Sequence, residues 1–343
     1  MALALPQEDL ERVLEQTRGL WTERGGVRIL FTGASGFFGS WMLESFLFAG
    51  TQLDLPFRAV AVTRNAEYFS RRLPHLAGDP RVEVLEADAA TLPLPAGPVD
   101  YLIHSLFAPA ALPEMERQFG RATKRLLEIA AQKSVRGCLL CSTGAVYKPP
   151  LKLLPIPEAS LRFGAGDPLS YPGIRAQVED QWLAESSRYG LSASIARGFA
   201  FMGPRLPLDG QFAVGNFLRD VLAGEPVTVQ GDGAPVRSYL HAADLTVRLW
   251  HLLVSGQASG VYNVGSEHAL TIAEVARAVA GLTNPAADVR ILGKDSPFSY
   301  YVPDTARIGR AFPLPPPLSF CKALQRTWNW LDPRLKKLAP NLN

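Results

Sequence analysis

A glycine at every third position, Gly33-Ala34-Ser35-Gly36-Phe37-Phe38-Gly39, stands between a short apolar run and an apolar helix-like segment. The run is Val27-Arg28-Ile29-Leu30-Phe31, and the segment extends from Phe37 to Phe48. Strand, glycine turn and helix in that order open a doubly wound α/β sheet. Gly33 permits the tight turn, Gly36 lets backbone approach a pyrophosphate, and Gly39 lets the helix pack close on the strand. The amides of Ser35, Phe37 and Phe38 and the partial positive charge of the helix N-terminus then face the phosphates. The spacing is G-x-x-G-x-x-G, and its strand–turn–helix context, more than the glycines alone, makes it a nucleotide-binding signal.

The alternation continues. Strands are predicted at 59–62, 82–85, 101–104, 137–141 and 192–196, with helices at 114–132 and 176–189 between the later ones. Such a chain builds a parallel sheet covered on both faces. After about residue 198 the texture changes. Helices at 212–223, 242–254 and 272–280 mix with short strands at 227–229 and 261–264, and the proline-rich stretch 312–318 reads as extended. Residues 7–22 form an amphipathic helix. The expected fold is a Rossmann-type doubly wound sheet with a smaller mixed α/β substrate lobe. We divide it as a helical extension (1–26), a dinucleotide-binding domain (27–197) and a mainly substrate-binding lobe (198–343).

Composition narrows the function classes. With 47% hydrophobic residues the chain supports a sizeable core, and a formal charge of +3 gives no reason to expect nucleic acid. Basic residues fall as singles or pairs such as Arg71-Arg72 and Lys336-Lys337. Cys138 and Cys141 sit in an apolar strand and read as buried small hydrophobes, not as a redox pair. Residues 7–20 are too charged for a signal peptide, and no apolar stretch reaches about 18 residues. A soluble cytoplasmic protein with no membrane partner is expected. The five histidines show no ligand spacing, so no metal site is expected; His241 reads as a helix cap and His104 as packing beside the cofactor.

The second strand closes on Thr63-Arg64-Asn65, without the carboxylate that usually meets the ribose of NAD. Arg64 suits a 2′-phosphate instead, which favours NADP over NAD. Asp88 and Ala89 follow the third strand, where Asp88 meets the adenine amine, and Ser105 follows the fourth.

Further on stand Ser142-Thr143-Gly144-Ala145-Val146-Tyr147 and Ser170-Tyr171-Pro172-Gly173-Ile174-Arg175. Here the chain resembles the extended short-chain dehydrogenase/reductase family, also called the NAD-dependent epimerase/dehydratase family. Thr143 and Tyr171 match that family's Ser/Thr and catalytic Tyr, while its lysine position holds Arg175. The likeness runs on through Arg197-Gly198-Phe199, Gly203-Pro204-Arg205, Gly231-Asp232-Gly233 and Tyr262-Asn263-Val264-Gly265. It implies an NAD(P)-dependent enzyme acting on a nucleotide-diphosphate sugar, and a homodimer formed through the helices near 114–132 and 171–189.

The chemistry asks for these residue types. Tyrosine, with an ordinary pKa of about 10, is a poor base at neutral pH unless a cation stabilises its anion. The resemblance implies that Arg175 supplies the charge and also meets the cofactor, as Tyr171 does, while Thr143 aligns the reacting hydroxyl. It also helps choose the reaction. Dehydratases of the family carry Asp-Glu, and decarboxylases often Ser-Glu, where this chain has Gly144-Ala145. Small residues there resemble 4-epimerases, and a 4-keto-sugar reductase needs the same minimal set. Arg205 is a candidate for a sugar carboxylate, Arg237 for the substrate diphosphate, or alternatively for a salt bridge with Asp232 or Asp244. Asn216 is a candidate to replace the family asparagine absent at Ala200. Oxidation at C4 with epimerisation ranks first, then reduction, then decarboxylation. A dinucleotide-binding regulator that has lost the chemistry is the rival from another class.

Overall fold

The computed structural model describes residues 4–22, 24–105, 111–150, 152–164, 166–210, 212–256, 259–283, 285–295 and 297–332. The Lys336-Lys337 pair lies outside them. The strands are β1 (Arg28–Thr32), β2 (Arg58–Thr63), β3 (Val82–Glu86), β4 (Tyr101–His104), β5 (Gly137–Thr143), β6 (Ala193–Gly198), β7 (Phe201–Met202), β8 (Val227–Val229), β9 (Val236–Arg237), β10 (Leu240–His241), β11 (Gly260–Val264), β12 (Leu270–Thr271), β13 (Val289–Ile291) and β14 (Tyr300–Tyr301). The helices are α1 (Gln7–Trp21), α2 (Phe37–Leu53), α3 (Ala66–Arg72), α4 (Pro74–Ala77), α5 (Leu112–Gln132), α6 (Tyr171–Arg188), α7 (Ala213–Ala223), α8 (Ala242–Val254), α9 (Ile272–Ala280), α10 (Ala306–Ala311) and α11 (Phe320–Leu331).

Seven strands pair in parallel in the order β11-β6-β5-β4-β1-β2-β3. The order reverses between β1 and β4, and in such sheets the crevice at the carboxyl ends of the strands is the ligand site. Ile29, Leu30 and Phe31 of β1 are all buried, because both faces of the sheet are covered; apolar runs there do not alternate.

One face packs α1, α2 and α8. Its core holds Trp21, Trp41, Phe46 and Trp250, with Phe46 stacked on Phe57 at 4.5 Å and Trp21 edge-on to Trp250 at 5.2 Å. The helical extension is therefore part of the main core. The other face packs α5 and α6 through Phe119, Leu126, Ile174 and Trp182. A third cluster, with Phe217, Val275 and Trp328, binds α7, α9 and α11 to β8 in the smaller lobe.

Two expectations are refined. Helix α6 begins at Tyr171, five residues before the predicted start. Ser170 Oγ accepts from the Gly173 amide at 3.3 Å, and Pro172 lies in the first turn, where it has no intrahelical N–H to lose. And residue 198 is no clean division. β11 leaves the lobe region to become the edge strand of the main sheet beside β6, with α8 packed on β5 and β6.

Candidate active site

The glycine turn follows β1 into the crevice. Gly33 has φ +75°, and a Cβ there would lie 2.4 Å from the Ser105 carbonyl oxygen, so the turn at the head of β4 leaves room for glycine alone. A Cβ on Gly39 would lie 2.3 Å from the Gly33 carbonyl oxygen. Gly36 is the N-cap of α2, and no side chain caps that end. The first-turn amides, Phe37 to Gly39, are thus left for an outside acceptor, as a diphosphate would be. The cradle fits a dinucleotide.

Around it the expected cofactor residues line the carboxyl ends of the strands. Ser105 Oγ donates to the Thr32 carbonyl at 2.8 Å, tying the ends of β1 and β4. Arg64 is exposed just past β2, and Asn65 beside it caps α3 through the Tyr68 amide. Asp88 is exposed and accepts from the Ala90 amide at 2.7 Å, while Ala89 is buried beneath. His104 is buried, and its Nδ1 lies 3.1 Å from Thr32 Oγ1. Burial, then the nearby Arg175 charge, pushes its pKa down to about 3, so it stays neutral.

Thr143 closes β5. Its Oγ1 accepts from the Ala145 amide at 3.1 Å, which pins the short turn Gly144–Val146. Tyr171 stands at the first position of α6. Another hydroxyl stands beside Thr143: Tyr301 Oη lies 3.5 Å from Thr143 Oγ1 and donates to the Gly198 carbonyl at 3.3 Å. Burial drives the Tyr301 phenol far above its ordinary pKa; the Thr143 hydrogen bond opposes this and the nearby Tyr171 adds to it. Tyr301 is thus a neighbour of Thr143 and lies within electrostatic reach of Tyr171.

Arg175, one turn after Tyr171, is buried. Its Nη2 donates to the Cys141 carbonyl at 2.6 Å, and its guanidinium lies 5.2 Å from the centre of the Phe119 ring. The charge sits beneath the end of β5, joining α6 to the strand that carries Thr143.

Beside Thr143, Ser142 leads into a buried polar network. Its Oγ donates to Glu179 Oε1 at 2.6 Å. Arg197 Nη2 meets Glu179 Oε2 at 2.6 Å, and Arg197 Nη1 donates to Tyr147 Oη at 2.8 Å. Tyr147 Oη donates to Asn263 Oδ1 at 2.7 Å, and burial, against the Arg197 charge, pushes its pKa up to about 12. The network ties together β5, α6, β6 and β11.

The substrate-side candidates separate. Arg205 is corrected. With φ +70° its side chain turns under α2, is 2% exposed, and forms a salt bridge with Glu44, whose other oxygen accepts from the Leu5 amide. A guanidinium buried and neutralised in that way is not available to a sugar carboxylate. Arg237 is half-buried, donates to the Ser299 carbonyl at 3.4 Å and lies 5.8 Å from the Tyr301 ring centre; Asp244 pairs with Arg12. Asn216 donates to the Gly210 carbonyl at 3.2 Å on the first turns of α7. His241 Nδ1 accepts from the Ala243 amide at 3.2 Å, the expected cap. Among the described residues no group of three or more His, Cys, Asp and Glu side chains could hold a metal, and no helix is long and apolar enough to cross a membrane.

Sequence reasoning missed Tyr301 and Glu179. Tyr301 lies far downstream in a two-residue strand with no marker around it. Glu179 had a signal: Tyr171, Arg175 and Glu179 recur every fourth residue on one helix face.

Comparison with known proteins identifies the family of the chain. The model of a family described as the NAD dependent epimerase/dehydratase family matches residues 29–265. UDP-glucuronic acid decarboxylase 5 of Arabidopsis thaliana is 28% identical over 290 residues, 78% of either chain. UDP-glucuronic acid decarboxylase 1 of Xenopus tropicalis is 26% identical over 291 residues, 80% of this chain and 64% of that one. Among solved structures, a UDP-N-acetylglucosamine 4-epimerase from Methanobrevibacter ruminantium superposes with a TM-score of 0.75 at 20% identity, over 90% of this chain and 98% of that one. A UDP-glucuronic acid 4-epimerase from Bacillus cereus, solved with UDP-glucuronic acid and NAD, gives 0.73 at 19% identity, over 91% and 100%.

Proposed function

Because this chain belongs to the NAD dependent epimerase/dehydratase family, we propose that it acts on a nucleotide-diphosphate sugar by transient oxidation at C4, with epimerisation of that carbon as the outcome. The bound dinucleotide supplies a hydride acceptor. Tyr171 takes the proton of the sugar hydroxyl, Thr143 holds that hydroxyl in line, and Arg175 contributes positive charge from beneath the strand end. Arg237 and Asn216 serve the diphosphate side of the substrate. Gly33, Ser35, Gly36, Phe37, Phe38 and Gly39 hold the cofactor diphosphate, with Asp88, Ala89 and Ser105 along the adenine and ribose. The exposed Arg64 in place of a carboxylate favours NADP. The protein works as a cytoplasmic homodimer joined through α5 and α6.

The observation that carries this reading is the makeup of the turn after Thr143. Gly144 and Ala145 offer no acid or base, so the site supports removal and return of a hydride but no elimination. A decarboxylase reading has one support, the sequence relatives, which are UDP-glucuronic acid decarboxylases. Against it stands the commitment of Arg205 to Glu44.

The test is product analysis by NMR after incubation with UDP-glucose and with UDP-glucuronic acid. The 4-epimer is expected. A pentose with release of carbon dioxide moves the assignment to decarboxylation, and no conversion of any nucleotide sugar overturns it. Tyr171→Phe is expected to lose at least about 100-fold in rate while still binding the dinucleotide. A regulator would be unaffected by that change.

A further inference from the structure

We propose that Tyr301 is a second substrate-contacting phenol, whose O–H donates to the oxygen on the sugar carbon being oxidised and keeps its proton throughout the reaction. This rests on the function proposed above.

Tyr301 belongs to the smaller lobe. It lies on β14, in register with Arg237 of β9, and reaches over to the end of β5 in the main sheet. Its ring is held by Phe199, at 4.6 Å between centres, and by the Arg237 cation. A Cβ on Gly144 would lie 2.8 Å from Tyr301 Oη and 2.8 Å from the Phe199 ring. The phenol therefore fills the space a side chain at position 144 would occupy, and puts a protic group beside Thr143 although the turn itself has none.

The hydroxyl is poorly served by the protein. Its contacts, 3.5 Å to Thr143 Oγ1 and 3.3 Å to the Gly198 carbonyl, are long for O–H···O bonds, which centre near 2.7–2.8 Å. A substrate oxygen entering between Tyr301 and Thr143 offers a shorter acceptor. Burial keeps the phenol neutral, so it acts as a donor and leaves the proton-accepting role to Tyr171. Negative charge gathers on the sugar oxygen as its proton departs, and a fixed donor there stabilises that charge more than the starting hydroxyl. The proton passes to Tyr171 and the hydride to the cofactor, while Tyr301 ends as it began.

Tyr301→Phe keeps the ring and removes only the hydroxyl. Three readouts separate the outcomes: the single-turnover rate of cofactor reduction on adding UDP-glucose or UDP-glucuronic acid, the affinity for uridine diphosphate alone, and the melting temperature. The expected result is a loss of about 10–100-fold in the single-turnover rate, with uridine diphosphate affinity and melting temperature unchanged. A wild-type rate overturns the proposal, as does a parallel fall in all three, which marks a structural role. Should Tyr301→Phe not fold, Gly144→Ala carries the test, since its methyl pushes the phenol off Thr143; a wild-type rate there overturns the proposal equally. Failure of the wild-type protein to reduce cofactor with any nucleotide sugar counts against the underlying function and not against the placement of Tyr301.

Discussion

Glu179→Gln should destabilise the protein by about 3–5 kcal/mol, the range for breaking a buried ion pair by removing one partner. Glu179 and Arg197 are 1% and 4% exposed. The guanidinium meets the carboxylate through Nε at 3.0 Å and Nη2 at 2.6 Å. Charges about 4 Å apart at an effective dielectric near 20 attract by about 4 kcal/mol, which agrees with that range. Glutamine retains shape and one acceptor but leaves the guanidinium without a counter-charge inside the protein. Urea unfolding of the cofactor-free protein followed by tryptophan fluorescence reads the effect, because Trp182 is buried on the same helix. The double variant Glu179→Leu/Arg197→Met should recover most of the loss, since two apolar residues leave no charge stranded. A cost below about 1 kcal/mol for Glu179→Gln, or a double variant no more stable than the single, would refute the reasoning.

Gly39→Ala should abolish dinucleotide binding in a direct titration, because the added methyl would sit 2.3 Å from the Gly33 carbonyl oxygen and must distort the turn; unchanged affinity would show that the turn is not the phosphate cradle. Asp9 predicts a pH effect. Burial, opposed by Arg326, raises its carboxyl to about 7 from an ordinary value near 4. The folded state then binds more protons than the unfolded between about pH 4 and 7, so this residue's contribution falls as pH rises through that window. Asp9→Asn removes the dependence. Its stability relative to wild type should climb between pH 4.5 and 7.5 by up to roughly 4 kcal/mol, and a pH-independent difference in urea midpoints would contradict it.

The main sheet was legible because its strands are apolar runs punctuated by glycine and its helices are long and amphipathic, so periodicity marks each element. The glycine turn was legible for the same reason: its three small residues answer to backbone clashes that depend on local chain geometry. Arg205 misled because an arginine after Gly-Pro carries no sign of the partner it will find, and Glu44 lies 161 residues away. Tyr301 and Glu179 belong to contacts between elements distant in sequence, and a two-residue strand such as β14 has no period to detect. Helix α6 begins earlier than expected, and Pro172, which disfavours helix interiors, suits its first turn.

The return of β11 to the sheet, after the chain has already built part of the smaller lobe, stitches the two layers together. The polypeptide crosses between them several times, through α8, β11, α10 and α11, so no single joint can act as a hinge. Rocking one layer against the other would require every crossing to bend in concert. Such a cleft has no simple axis about which to open or close. For the same reason residues 198–343 cannot be exchanged as one contiguous cassette: removing them would strip the sheet of its edge strand and of the helix that covers it.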